Sequence, residues 1–125
     1  MRAIIKGQPD IAEKIAVENL SYPFSYVDRL VTENGFSVCA DIGHLVVMGV
    51  DPLEHLGKYL SRTRVIHLHG VDGGKDHVSL KYLDEALVRR LTGFLRDNDY
   101  RGVVTLEVFS EMDLEESIGV LRKAF

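Results

Sequence analysis

Four strand-like segments of the sequence each end in a side chain that can bind a metal ion. These side chains are Glu18, Asp41, His67 and Glu107. Taken singly, each is more often structural, but in every segment the residue lies on the parity opposite the fully apolar one. Three carboxylates and an imidazole suit a divalent ion such as Mn, Mg, Fe, Co or Zn. Because such a cluster is costly to bury unpaired, the pattern favours a metal site over a purely structural role.

The stretch from Arg64 to His77, RVIHLHGVDGGKDH, adds further polar chemistry to one of these ends. His67 and His69 share one face of the expected strand. The glycine-rich segment 70–74 then predicts a flexible loop that ends in Lys-Asp-His. By itself the stretch fits two interpretations equally well. One is a metal or catalytic site, and the other is a buried, hydrogen-bonded histidine followed by an ordinary loop.

The elements that must position these residues alternate between strands and helices. We expect strands at 14–19, 36–42, 64–69 and 103–109, and helices from Pro23 or Ser25 to Asn34, from Asp51, from Ser79 or Leu80 to Asp97, and from Asp113 to Phe125. This β-α-β-α-β-α-β-α order predicts a parallel sheet with right-handed crossovers. Ligands of such sheets bind at the carboxyl ends of the strands, where the four candidate ligands lie.

Local signals place several helix ends. Asp51 followed by Pro52 predicts a helix start, since Asp caps a helix and Pro suits its first turn. Asp113 with Glu116 predicts the start of the last helix. The apolar residues 45–50 read as a connection between elements. On the helix after Asp51 we expect a solvated His55 and a buried leucine stripe, which is Leu53, Leu56 and Leu60.

Composition limits the class of protein. The 125 residues fit one domain, with 46% hydrophobic and 27% charged residues and a net charge of −4. The absence of a basic cluster argues against nucleic-acid binding. The single Cys39 excludes an intramolecular disulfide and fits a reducing compartment. The first residues lack the apolar core of a signal sequence, and no apolar run approaches the roughly 20 residues of a membrane span. We therefore expect a cytoplasmic protein without a membrane partner.

Four short motifs resemble the xylose isomerase-like TIM-barrel superfamily, which includes sugar isomerases and epimerases and the apurinic endonuclease branch. They are VENL at 17–20, ADIGH at 40–44, HLHG at 67–70 and LEV at 106–108. The resemblance covers nearly all of the chain. It implies that residues 1–125 form one half-barrel domain, a (βα)4 unit that matches the second half of a TIM barrel.

The resemblance also implies roles for individual residues. His44 would ligate a second metal or contact substrate. Asp76-His77 resembles the Asp-x-His ligand pair of the endonuclease branch but is one residue shorter, which favours His77 as the ligand. The implied metal ligands are Glu18, Asp41, His44, His67, His77 and Glu107. The implied catalytic residues are Glu18, Glu107 and His44, and the implied substrate contacts are His69, Asp76 and Lys75.

Three functions follow from this resemblance. The first is metal-dependent hydrolysis of a phosphoester. The sequence IHLHGVDGGKDHVSL is most similar to that of the phosphodiesterases that cleave the nucleotide loop of corrinoids. The second is isomerisation or epimerisation of a sugar or sugar phosphate, with Glu18 and Glu107 as acid and base. The third is an inactive, truncated half-barrel. The Asp76-His77 pair favours hydrolysis, because an isomerase with one metal does not need it.

The length of the chain bears on its assembly. A complete barrel has eight βα units and about 250 residues, whereas only four units are recognisable here. A half-barrel leaves the two outer strands unpaired, and unpaired edges promote association. We therefore expect a homodimer or another association that covers these edges.

Overall fold

The computed structural model describes residues 9–125, and the first residues, on which the expectation of no signal sequence rests, lie outside this range. The helices are α1 (Pro9–Ala12), α2 (Ser25–Asn34), α3 (Ile42–Val47), α4 (Pro52–Tyr59), α5 (Glu85–Asp97) and α6 (Glu111–Ala124), with 3-10 turns at Leu60–Arg62 and Leu80–Tyr82. The strands are β1 (Ala16–Glu18), β2 (Ser37–Asp41), β3 (Thr63–Leu68), β4 (Gly70–Asp72), β5 (Lys75–Val78) and β6 (Val103–Leu106).

Four strands form one parallel sheet in the order β1-β2-β3-β6. The register places Glu18 beside Cys39, Asp41 beside His67, and His67 beside Thr105. The strand ends that carry the candidate ligands therefore lie at the same edge of the sheet. This arrangement confirms the predicted α/β fold, and it is consistent with half of a TIM barrel.

The core lies between the sheet and the helices that follow its strands. Ile42, Leu56 and Ile66 are completely buried, and Leu80 and Leu91 are nearly so. A smaller cluster joins Phe24, Val31, Val38 and Tyr59. All of β2 is buried because it has a neighbouring strand on each side. The outer strand β6 is instead open, with Val103 60% and Val104 41% exposed.

The glycine-rich segment after β3 is a hairpin rather than the expected loop. Strands β4 and β5 pair antiparallel, and Gly73 and Gly74 form the turn between them. Both glycines have positive φ, 54° and 87°, as a tight two-residue hairpin turn requires. Gly70 at the base has no room for a side chain, since a Cβ there would lie 1.9 Å from the carbonyl oxygen of Ser79.

Two helix starts differ from the sequence-based expectation. The apolar stretch after β2 includes α3, whose first turn is capped by Asp41. The last helix begins earlier than expected, because Ser110 caps it by accepting the backbone N–H of Asp113 at 3.0 Å. The predicted cap of α4 is confirmed, with the Asp51 carboxylate accepting the N–H of Leu53.

The buried face of α4 also corrects the expected position of His55. This histidine is only 7% exposed, and its ring packs against Phe24 and Tyr59 at centroid distances of 5.5 and 4.8 Å. Burial, with a smaller contribution from the charge of Lys58, lowers its pKa to about 4. The buried residues of α4 are Pro52, His55, Leu56 and Tyr59, so Leu53 is not among them. None of the helices described has the length and apolar character that a membrane crossing requires.

Candidate metal centre

Three of the four predicted ligands converge on an atom of the fourth, Nδ1 of His67. This nitrogen lies 3.1 Å from Oε1 of Glu18, 3.2 Å from Oε2 of Glu107 and 3.8 Å from Oδ2 of Asp41. One donor atom from each residue lies within 4.8 Å of the others. The outer strands contribute glutamates, which have longer side chains than the aspartate of the central β2. The sheet thus brings residues 89 positions apart in sequence into one cluster.

Two carboxylate oxygens in this cluster have no hydrogen-bond partner. Oδ2 of Asp41 and Oε2 of Glu107 are both buried and accept no hydrogen bond, although Nδ1 of His67 lies 3.8 and 3.2 Å from them. The other oxygen of Asp41, Oδ1, accepts the backbone N–H of His44 at 2.8 Å. Buried carboxylate oxygens without donors are costly, and a divalent cation is the group that satisfies them. The donor set of three carboxylates and one imidazole therefore fits a metal ion.

The residues of the cluster shift one another's pKa values. Burial raises the pKa of Glu18, and the neighbouring Asp41 raises it further against the opposing effect of His67. Burial also acts to raise the pKa of Asp41, but His69 and the N–H of His44 outweigh it and the pKa is lowered. The pKa of Cys39 rises to about 12, chiefly because the thiol is buried and also because Glu18 and Asp41 are near. Cys39 is therefore a neutral thiol at ordinary pH.

The hairpin brings a second group of donors beside the first. Nδ1 of His77 lies 3.0 Å from Oδ1 of Asp76, whose Oδ2 is 3.7 Å from Nε2 of His44. Nε2 of His77 is 3.4 Å from Oε2 of Glu107, so the two groups adjoin. His77 has a positive φ of 55°, which is uncommon for a residue with a side chain and often marks functional sites. Its ring stacks on that of Phe109 at 5.0 Å.

His69 lies behind both groups. It is completely buried, with Nε2 2.9 Å from Oδ1 of Asp41 and Nδ1 accepting the backbone N–H of His77 at 3.0 Å. Gly43 makes room for it, since a Cβ there would lie 2.0 Å from the ring. Full burial differs from the expected substrate contact and suits a role in holding Asp41. The pKa of His69 is raised, because Asp41 outweighs the burial that would lower it.

The remaining predicted substrate contacts lie on β5. Asp76 is partly exposed, with 45% of its side chain accessible, and stands beside His44 and His77. Lys75 is exposed next to the hairpin turn. Their contact with a substrate stays a prediction, whereas the structure places Asp76 at the edge of the donor groups.

Two residues that the sequence did not single out belong to the site. Phe109 is 80% exposed and covers His77. Asn19 follows Glu18 directly and is only 2% exposed, with its side chain bonded to the backbone of Asp41. Its place at the tip of a strand was the available signal, but an asparagine there is also typical of a turn.

Comparison with known proteins agrees with this fold. Residues 11–124 match the model of the xylose isomerase-like TIM barrel family. The chain belongs to this family. A solved structure described as a D-tagatose 3-epimerase-like protein is similar, with a TM-score of 0.68 and 19% identity. The match covers 98% of this chain and 52% of that one, so this family member spans about half of that structure. No curated protein matches the sequence. The narrower resemblance to corrinoid phosphodiesterases stays a prediction.

Proposed function

We propose that this chain provides the metal-binding half of a barrel that hydrolyses a phosphoester. The observation that carries the proposal is the second donor group, His44, Asp76 and His77, adjoining the four-residue cluster. Phosphoester hydrolases commonly use neighbouring metal ions, which stabilise the attacking and leaving oxygens. The sugar isomerisation considered above requires only one metal and leaves this second group without a role.

The residues around the centre divide into ligands and groups that handle protons. Glu18, Asp41, His67 and Glu107 would hold one ion, and His44 and His77 would help to hold a second, since one donor atom from each of these histidines lies within 4.8 Å of donor atoms of Asp41 and His69. Bound ions would lower the pKa of a water molecule and neutralise charge on the phosphoryl oxygens. His44 donates its Nδ1–H to the carbonyl oxygen of Asn19 at 3.2 Å, so its Nε2 has the free lone pair. This nitrogen can either ligate or accept a hydrogen bond from an attacking water.

The expected substrate class follows from the proposed hydrolysis of a phosphoester. We expect a small phosphorylated molecule, and the motif around the hairpin makes the nucleotide loop of a corrinoid the first compound to assay. The ion would be Mn, Zn, Mg, Fe or Co, since all five accept mixed carboxylate and imidazole ligands. The net charge of −4 does not favour a nucleic acid as the substrate.

The test combines metal content with activity. The metal-loaded chain is assayed with bis(p-nitrophenyl) phosphate and with a corrinoid, and bound metal is measured by mass spectrometry. We expect about two ions per site and hydrolysis that Glu107→Gln lowers by at least about 100-fold, since the glutamine keeps the shape and removes the charge. Glu115→Gln, which changes an exposed carboxylate on α6, is the matched control. Hydrolysis that survives Glu107→Gln unchanged contradicts the proposal.

A second candidate function, sugar epimerisation, is favoured by the placement of Glu18 and Glu107. Their carboxylates approach Nδ1 of His67 from the two outer strands, at 3.1 and 3.2 Å. Two carboxylates around one metal can remove and return a proton at carbon. The similar structure is named as D-tagatose 3-epimerase-like, which makes ketohexoses the sugars to test. One bound ion and exchange of a sugar C–H with deuterated water would favour this function over hydrolysis.

We also propose that a second copy of the chain closes the barrel. Within residues 9–125, β1 pairs only with β2 and β6 only with β3, so each has a free edge. A two-fold axis along the barrel would pair β6 of each copy with β1 of the other and yield eight parallel strands. Eight strands agree with the match to only 52% of the similar structure. The pairing would cover Val103 and Val104.

Light scattering tests this association. We expect a particle of twice the 14.0 kDa chain mass. Val103→Lys, which places a charge on the 60% exposed edge residue, should shift the protein toward monomer, and Tyr26→Lys at a 75% exposed position on α2 should not. A monomer at all concentrations, or equal effects of the two variants, would contradict the second copy as the partner.

A further inference from the structure

We propose that Asn19 is a positioning residue that fixes Asp41 and His44 in the geometry that binds metal. The inference rests on the metal centre of the proposed function, but Asn19 is not among its ligands. Asn19 lies between the tips of β1 and β2 and is 2% exposed. The Oδ1 and Nδ2 atoms of Asn19 and its backbone carbonyl oxygen each form a hydrogen bond with Asp41 or His44.

The side chain of Asn19 binds both backbone groups of Asp41. Its Oδ1 accepts the N–H of Asp41 at 2.8 Å, and its Nδ2 donates to the carbonyl oxygen of the same residue at 3.0 Å. The pair of bonds fixes the position and orientation of the Asp41 backbone at the end of β2. Only an amide supplies one acceptor and one donor at this spacing, because an ionised carboxylate has no donor and an apolar side chain has neither.

The backbone of Asn19 forms a hydrogen bond with the side chain of His44. Its carbonyl oxygen accepts the Nδ1–H of His44 at 3.2 Å, and since a carbonyl can only accept, this contact sets the tautomer. Nε2 is then the nitrogen with the free lone pair, 3.7 Å from Oδ2 of Asp76. Because Glu18 precedes Asn19 in the chain, one residue links three members of the two donor groups.

A positioning role makes a specific prediction about metal affinity. Groups that orient metal ligands typically contribute about 10- to 100-fold in affinity when they are removed. A merely structural asparagine would instead lower the stability of the protein and leave the affinity of the folded protein unchanged. The two roles are therefore separated by measuring binding and unfolding on the same variants.

The experiment titrates Co²⁺ alone into the full chain and follows its visible absorption. The variants are Asn19→Leu, which has a similar size and no hydrogen bonds, and Asn19→Asp, which has the same shape and no donor. We expect both to bind Co²⁺ about 10- to 100-fold more weakly at unchanged stoichiometry, because every ligand is still present. The matched control is Thr63→Val at the start of β3, the end of the strand away from His67. There a buried hydroxyl donates to the carbonyl of Tyr59 at 2.9 Å. It should lower stability without changing the Co²⁺ affinity.

Several results would overturn the inference. One is a folded Asn19→Leu protein that binds Co²⁺ as tightly as the wild type, and another is an equal loss in Thr63→Val. If Asn19→Leu does not fold, the Co²⁺ affinity of Asn19→Asp and the ¹⁵N spectrum of His44 test the proposal instead. A proton on Nε2 rather than Nδ1 of His44 in the wild-type protein would contradict it. Wild-type protein that binds Co²⁺ without hydrolysing any phosphoester refutes the proposed function alone. Wild-type protein that binds no Co²⁺ refutes the metal centre, and the role of Asn19 with it.

Discussion

Acid should destabilise this protein through His55 on α4. The ring is 7% exposed and packs against Phe24 and Tyr59, and its Nε2 is buried without a hydrogen-bond partner. Charging the imidazole in this apolar site is costly, so the folded protein keeps it neutral at pH values where the unfolded chain has already taken up a proton. Proton uptake by the unfolded chain then shifts the equilibrium toward unfolding.

The size of the effect follows from the two pKa values of His55. Burial lowers the pKa from 6.5 to about 4, a difference of about 2.5 pH units. At about 1.4 kcal/mol per unit, the neutral ring contributes about 3 kcal/mol more stability above pH 6.5 than below pH 4. The folded pKa is depressed, so the contribution is complete above the unfolded value of 6.5 and is lost as the pH falls toward 4.

Urea unfolding between pH 7.5 and 4, with a chelator present, measures this contribution. The wild type is compared with His55→Leu and His55→Gln, neither of which titrates at this position. We expect the difference in unfolding free energy between wild type and either variant to change by about 3 kcal/mol across this range. Other titrating groups cancel in the difference. A difference that is independent of pH would refute a neutral, buried His55.

Three further predictions concern stability. Leu56→Ala on α4 removes a completely buried side chain and should lower the unfolding free energy by about 2–5 kcal/mol in urea titrations. Ser110→Ala removes the acceptor of the Asp113 N–H at the start of α6 and should cost about 1 kcal/mol by the same measurement, whereas an unchanged midpoint would mean that the cap is dispensable. Gly70→Ala would place a Cβ 1.9 Å from the carbonyl oxygen of Ser79, so we expect faster amide hydrogen exchange in the β4–β5 hairpin than in wild type; equal exchange rates would show that the base of the hairpin adapts.

The convergence of the four candidate ligands was predictable because it depends on two general rules. Side chains alternate along a strand, and parallel strands end at the same edge of a sheet. Glu18, Asp41, His67 and Glu107 satisfy both rules within their own segments, so no knowledge of distant contacts was needed. The register of β2 on β3, with Asp41 beside His67, then completes the arrangement.

The residues that were missed depend on contacts between distant segments. His55 is buried because Phe24, from the loop before α2, covers it, and nothing in the sequence of α4 indicates this neighbour. Asn19 reads as a turn residue until its bonds to Asp41, 22 positions away, are known. The hairpin was within reach of the sequence, since two adjacent glycines between two short segments are a known turn signal.

The side chain of Asp41 has two roles that are carried by different oxygens. Oδ1 caps α3 through the N–H of His44, whereas Oδ2 faces the donor cluster without a partner. A cation bound at Oδ2 would therefore also act on the first turn of the helix that carries His44, because both oxygens belong to one carboxylate. If Asp41 binds a cation, the stability of α3 and the affinity for the cation would be thermodynamically linked at this carboxylate, and its removal would change both at once. Asparagine is the informative replacement, because it can keep the capping acceptor while removing the charge.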